Sequence, residues 1–246
     1  METAKGLNLK HFLLDIEGTT APISFVHEVL FPYAKKRLDS FLKTYSWPED
    51  LFSLIEQEFT KDKKGKDVKF SDLFPASVSL TKENVSSYFS YLISVDRKFG
   101  PLKEIQGKIW KEGYESSEIQ STIYPDVVDF LKQAKEKGIL CHVYSSGSVE
   151  AQILIYRYSN FGDLTGYFSS YFDTSVGGKR EVGSYQNILQ TLGASAEEVS
   201  FFTDIVEEAE AANSAGIRSF ILDRPGNLPQ RQHSFSVMQK LEITSL

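Results

Sequence analysis

His11-Phe12-Leu13-Leu14-Asp15-Ile16-Glu17-Gly18-Thr19-Thr20 decides how the rest of the chain is read. Phe12 to Leu14 is a short apolar run of the kind a parallel strand shows when both faces are buried, and it stops at two carboxylates, a glycine and two hydroxyls. In open α/β sheets ligands bind beyond the carboxyl ends of the strands. Asp15 and Glu17 are therefore expected to project into a crevice, with Gly18 permitting a sharp turn. Two acids one residue apart can share a hard cation such as Mg²⁺ and still leave one oxygen free to attack an electrophile. The plainer alternative is a turn opened by Asp15, with Glu17 a solvated charge; the decision rests on the rest of the chain.

The chain has 246 residues, long enough for one large domain or a core with an insertion. With 41% hydrophobic and 24% charged residues it has the composition of a globular protein, which excludes disorder and collagen. A formal charge of −6, with no Lys/Arg stripe to override it, argues against a nucleic-acid partner. One cysteine, Cys141, cannot form an internal disulfide and sits in an apolar run, so a buried thiol is expected. Met1-Glu2-Thr3-Ala4-Lys5-Gly6 carries no long apolar region, and no other segment approaches a bilayer span. The expected location is the cytoplasm, with the nucleus as a second compartment, and no membrane partner.

After Thr20 the apolar spacing becomes helical. It predicts a helix from Ser24 to Tyr45, kinked or divided at Pro32, and a second from Glu49 to Phe59. Lys61 to Asp67 reads as a solvated loop of mixed charge. Helices follow over Lys82–Lys98 and from Pro101 to Tyr114. From Tyr124 onward strands alternate with helices. Predicted strands are Ile139–Tyr144, Tyr167–Asp173, Ser200–Asp204 and Ile217–Leu222, and predicted helices open at Pro125, Val149, Ser184 and Val206. The tail shows a weak helical signal over Val237–Leu241. The fold class implied is α/β, a doubly wound parallel sheet made by residues 1–20 and 124–246, with residues 21–123 inserted as a helical cap domain.

Asp15 and Glu17, Ser145 and Ser146, Lys179, and Asp204 all fall at or just past strand ends, and a parallel sheet gathers those ends at one edge. Phosphoryl transfer needs a nucleophile in line with the P–O bond, a metal on the nonbridging oxygens, hydroxyl and N–H donors, and a fixed cation. Asp15 suits the first, Asp15 with Asp204 the second, Ser145 and adjacent amides the third, Lys179 the fourth. A metal-free dehalogenase is disfavoured because it leaves Asp204 without a use. Glu208, four residues on, reads as a solvated helix charge rather than a partner of metal-bound water. Tyr88, Phe89 and Trp110 read as core, because aromatics at helical spacing more often pack inside than line a pocket.

The order Asp15-Ile16-Glu17-Gly18-Thr19-Thr20, Val143-Tyr144-Ser145-Ser146-Gly147-Ser148, Lys179, Phe202-Thr203-Asp204 resembles the four motifs of the haloacid dehalogenase (HAD) superfamily. It is most similar to the enolase-phosphatase family of methionine salvage within it. Glu17 stands where most of the superfamily carries Asp, and Tyr144 to Gln152, Asp96-Arg97-Lys98 and Arg224-Pro225-Gly226-Asn227 are also similar. The likeness spans nearly the whole chain, and it makes His27 and Asp96-Arg97-Lys98 candidate cap contacts for a dicarbonyl, with a pocket for a methylthio group as the alternative to core for Tyr88, Phe89 and Trp110. It implies an enzyme that enolises a small phosphorylated diketone, 2,3-diketo-5-methylthiopentyl-1-phosphate, and then removes its phosphate. It also implies one Mg²⁺ per subunit on Asp15, Glu17 and Asp204, with Asp15 and Glu17 catalytic, Ser145, Ser146 and Lys179 on substrate, and a monomer. Whether Glu17 meets metal through its carboxylate or its carbonyl is left open. So are two other functions, a capped phosphatase of another small ester and a non-catalytic binding domain with the same fold.

Overall fold

A computed structural model describes residues 9–65 and 67–243; the Met1 to Gly6 segment lies outside them. Among the described residues there is one six-stranded parallel sheet, made of β1 (His11–Leu14), β2 (Leu140–Tyr144), β3 (Phe168–Phe172), β4 (Val199–Thr203), β5 (Arg218–Leu222) and β6 (Ser236–Met238). Its order is β3-β2-β1-β4-β5-β6, so the chain starts in the middle and winds outward in both directions. Pairing of Leu14 with Val143 on one side and Phe202 on the other brings the ends of β1, β2 and β4 level.

Both faces of β1 are buried, and for this reason its sequence shows no polar alternation. On one face Phe12 lies 4.9 Å from Phe130 and 5.6 Å from Phe202, which in turn stacks on Phe220 at 5.2 Å. On the other, Leu13 packs with Tyr144, Tyr185, Phe201 and Ile217. The crossovers are helical: α6 (Pro125–Glu136), α7 (Val149–Arg157), α8 (Val182–Leu192) and α9 (Val206–Ser214). Pro125 opens α6, where its missing N–H costs nothing, and the Ser148 hydroxyl caps α7 by accepting from Ala151 N–H at 3.3 Å.

The chain divides into two compact units, the first running up to His27 and resuming at Ser116, the second being Glu28–Glu115. The sequence-based joints were at 20/21 and 123/124. Backbone pairing accounts for the shift. Gly18 N–H donates to Ala21 carbonyl at 2.8 Å, and Ser121 N–H to Tyr158 carbonyl at 2.9 Å, so both flanks are tied to the sheet unit.

The second unit is helical: α1 (Phe31–Thr44), α2 (Glu49–Lys64), α3 (Val68–Leu73), α4 (Val85–Ser94) and α5 (Gly100–Glu115). A π-helical turn, Phe25–Leu30, precedes α1, and Pro32 sits in the first turn of α1, so proline begins the helix and divides the predicted segment there. Its centre is aromatic, with Phe59 within 5.3 Å of Phe70, Phe74 and Tyr88.

Two expectations are corrected and one helix is added. Lys61 to Lys64 extend α2, because Asp62 accepts from Tyr88 OH at 2.7 Å and from Arg97 at 3.0 Å, contacts the charge pattern alone did not show. Val68–Leu73 is a helix not read from sequence, capped by Asp67, which accepts from Phe70 N–H at 2.7 Å. The tail forms a strand, β6, because pairing Phe220 to Leu222 with Ser236 to Met238 extends the sheet; three residues are too few to show a period.

Candidate active site

Asp15 follows β1, held in line by its own N–H donating to Phe202 carbonyl at 2.9 Å. It is 4% exposed, and Lys179 Nζ lies 2.7 Å from its Oδ1. The same ammonium lies 2.7 Å from Glu208 Oε2. Thr203 Oγ1 donates to Glu208 at 2.8 Å; with its one proton used there, its 3.4 Å contact with Asp15 is weak. Lysine has three N–H donors, so two go to carboxylates and one is left for another oxygen acceptor.

Glu208 corrects the sequence reading. It is buried on the first turns of α9 and pairs with Lys179, instead of being a solvated charge. A clue existed in its spacing: four residues after Asp204 is just over one helical turn, which points back toward the strand end.

Asp204, also 4% exposed, lies beside Gly18. Gly18 has φ +68°, and a Cβ there would stand 2.6 Å from Asp204 Cγ and 2.9 Å from Asn227 Oδ1, so no other residue fits the turn. The Asn227 amide locks that turn by donating to Gly18 carbonyl at 2.9 Å and Leu222 carbonyl at 3.1 Å. Arg224, buried, completes the support. It donates to Thr19 carbonyl at 2.9 Å and forms a bidentate pair with Asp126 at 2.7 and 3.0 Å. Thr20 Oγ1 bonds back to Asp15 carbonyl at 3.0 Å and meets Tyr156 OH at 2.8 Å.

Ser145 follows β2, with its N–H donating to Phe172 carbonyl at 3.1 Å and its hydroxyl accepting from Gly147 N–H at 3.3 Å. Gln152 holds this turn through its amide, which donates to Gly147 and Phe172 carbonyls, both at 2.8 Å. Ser145 is buried and Ser146 half-buried. Glu17 is half-buried, its side chain 37% exposed, with Oε2 4.0 Å from His27 Nε2.

Three acids face one buried ammonium. Burial, then the charge of Asp15, raises the Asp204 carboxyl well above the ordinary range, and burial also raises Glu208. Burial alone would lower the Lys179 amine, but Asp15 and Glu208 overcome it and raise it, keeping the lysine charged. Surplus negative charge on hard oxygens fits a hard divalent cation such as Mg²⁺. Among the described residues no three His, Cys, Asp or Glu side chains already form a metal cage.

Of the other sequence candidates, the three aromatics belong to the helical unit, while His27, Asp96 and Lys98 are exposed and Lys98 pairs with Asp96 at 2.8 Å. Tyr88 and Phe89 are fully buried in the helical unit, and Trp110 Nε1 donates to Leu30 carbonyl at 2.8 Å. Arg97 is corrected from a substrate contact to a structural one, spanning Glu58 and Asp62 at 2.8 and 3.0 Å. Cys141 is buried, its thiol pushed up to about 12 by burial, which leaves it inert. No helix among the described residues is long and apolar enough to cross a membrane.

The parallel sheet with acids, hydroxyls and a lysine at its carboxyl edge is the arrangement of one hydrolase class. A family model described as haloacid dehalogenase-like hydrolase matches residues 9–216, and the chain belongs to that family. Within it, the chain is 57% identical over 245 residues to Enolase-phosphatase E1 of Leptospira biflexa, covering 95% of this chain and 99% of that one. It is 43% identical to Enolase-phosphatase E1 of Drosophila willistoni, covering 91% and 90%. The crystal structure of the UTR4 protein of Saccharomyces cerevisiae superposes with a TM-score of 0.74 at 33% identity, covering 96% of this chain and 99% of that chain. The chain is accordingly one of the enolase-phosphatase family.

Proposed function

We propose that this chain is the bifunctional enzyme of methionine salvage that enolises 2,3-diketo-5-methylthiopentyl-1-phosphate and dephosphorylates the enol to the acireductone 1,2-dihydroxy-3-keto-5-methylthiopentene. The observation that carries the reading is the 2.7 Å contact of Lys179 with Asp15, which sits beside Asp204 at the sheet edge. The full-length likeness to proteins named Enolase-phosphatase E1 supports the two-stage reaction.

In the first stage a base removes a proton from the carbon next to a carbonyl, the C–H electrons form the C=C bond and the carbonyl oxygen takes a proton to give the enol; Glu17, two residues from the nucleophile, is the candidate base. In the second, an Asp15 carboxylate oxygen attacks phosphorus, the P–O bond to the enol breaks, and the leaving oxygen takes a proton. Water then attacks the phosphorus of the aspartyl phosphate, freeing phosphate and restoring the carboxylate. Lys179, Ser145 and Ser146 hold the phosphate oxygens throughout. Asp15 and Asp204, with Glu17 through carboxylate or carbonyl, would hold Mg²⁺, which supplies neutralisation of charge on the nonbridging oxygens when bound.

The test is incubation with the diketone phosphate and Mg²⁺, following enol absorbance and free phosphate together. Enol that rises before phosphate is the expected result. Phosphate release with no enol would move the chain to phosphatases of other small esters, and neither signal would remove it from catalysis.

A further inference from the structure

Lys179 follows two glycines, a sequence that on its own gives a floppy loop, yet its ammonium is placed to bond two carboxylates at once. Rigidity comes from outside the loop. Gly177 carbonyl accepts from Tyr144 OH at 2.9 Å, Gly178 carbonyl from Ser184 Oγ at 2.7 Å, and Lys179 carbonyl from Tyr185 OH at 2.7 Å. Three consecutive carbonyls thus meet three separate hydroxyls, one from β2 and two from the first turn of α8. All three donors are buried, at 0, 1 and 0% exposure. The Tyr144 and Tyr185 rings brace each other edge to face at 5.6 Å, and the Lys179 ammonium lies 5.8 Å from the centre of the Tyr144 ring. Gly177 has φ +126°, and a Cβ there would collide with Ser184 Oγ, so the glycine and the serine fit as a pair.

We propose that Tyr144, Ser184 and Tyr185 are positioning residues for phosphate recognition, fixing the Gly177-Gly178-Lys179 backbone so that the Lys179 ammonium stays against Asp15 and presents its remaining N–H to a phosphate oxygen. None of the three touches the substrate; they act through Lys179. This rests on the reading of the site as a phosphate site. Loss of the Tyr144 or Tyr185 hydroxyl removes the donor its carbonyl has, and loss of Ser184 Oγ leaves Gly178 carbonyl with only the Glu181 N–H at 3.0 Å, so each change widens the range of positions the ammonium samples.

Inorganic phosphate is the probe, titrated calorimetrically in Mg²⁺ buffer against the full chain. Tyr185→Phe, which removes one oxygen and keeps the ring, is expected to weaken phosphate about five- to tenfold, and Ser184→Ala by a smaller factor, because Gly178 carbonyl keeps the Glu181 N–H. In a Lys179→Met background, or Lys179→Gln if the first is too unstable, Tyr185→Phe is expected to change phosphate affinity no further. Ser159→Ala is the control: outside this loop it loses a hydroxyl-to-carbonyl bond of the same kind, to Gly162 at 2.6 Å, together with the bond its oxygen accepts from Phe161 N–H at 3.1 Å. It should lower the melting temperature comparably and leave phosphate affinity unchanged. Equal weakening by Tyr185→Phe with and without Lys179, unchanged affinity in Tyr185→Phe, or no phosphate binding by the parent chain would each overturn the proposal. Turnover of the diketone phosphate is measured separately, so coupling between Tyr185 and Lys179 in a chain that leaves the diketone untouched would sink only the substrate assignment.

Discussion

The sheet unit and the helical unit both have aromatic centres, but they place their polar groups differently. Around Phe12, Phe130, Phe202 and Phe220 the strands run parallel, so every strand-end polar residue emerges at one edge, and Asp15, Lys179, Asp204 and Glu208 meet there. Around Phe59, Phe70, Phe74 and Tyr88 the helices present amphipathic faces, and the half-buried charges Glu58, Asp62 and Arg97 tie the segment between α4 and α5 to α2. Parallel topology concentrates chemistry; helix packing spends its polar residues on fixing orientation. The comparison predicts that single changes in the first unit damage reaction more than fold, and in the second the reverse.

Asp15→Asn tests this most severely. Phosphate release should fall by at least about 10⁴-fold, as for loss of an attacking group, with circular dichroism unchanged. Retained phosphatase activity would break the comparison at its strongest point. In the helical unit, Phe59→Ala should cost about 3–5 kcal/mol by opening a cavity among three rings. Hydrogen exchange should then show lost protection in α2, α3 and α4, and equal loss in β1 would contradict it.

Acid should find the sheet unit first. Burial, and then neighbouring His11, whose Nδ1 is 3.0 Å from His142 Nε2, push His142 down to about 4. A folded value below the unfolded one, about 6.5, means stability is present above 6.5 and is lost as pH falls toward 4. The loss is at most about 3 kcal/mol, and His142→Phe should flatten urea midpoints across that window. The smallest effect sharpens the other side. Asp67→Ala, which removes the cap of α3, should cost about 1 kcal/mol in urea unfolding and leave turnover alone.

Legibility followed the same division. Asp15, Asp204 and the serines after Tyr144 could be read because an apolar run that ends in a polar cluster is a local pattern, complete within about ten residues. Lys179 needed the company of the other motifs, since nothing adjacent marks it. Glu208 was misread because helix-surface charges look alike until the partner is known, and its partner lies in another segment. Arg224-Pro225-Gly226-Asn227 was noticed as a motif, but its work, Arg224 on Asp126 and Asn227 on Gly18, joins residues 98 and 209 positions apart.

The amino-acid sequence by itself determined the alternation of strands and helices, the helical insertion, and which strand ends carry acids, because periodicity and termination are properties of neighbours along the chain. Tertiary structure alone decided that Lys179 is shared between Asp15 and Glu208, that three hydroxyls hold its loop, and that Ser236 to Met238 closes the sheet. Those outcomes depend on which distant groups burial forces together, and a buried charge or carbonyl must find a partner there, whatever its sequence distance.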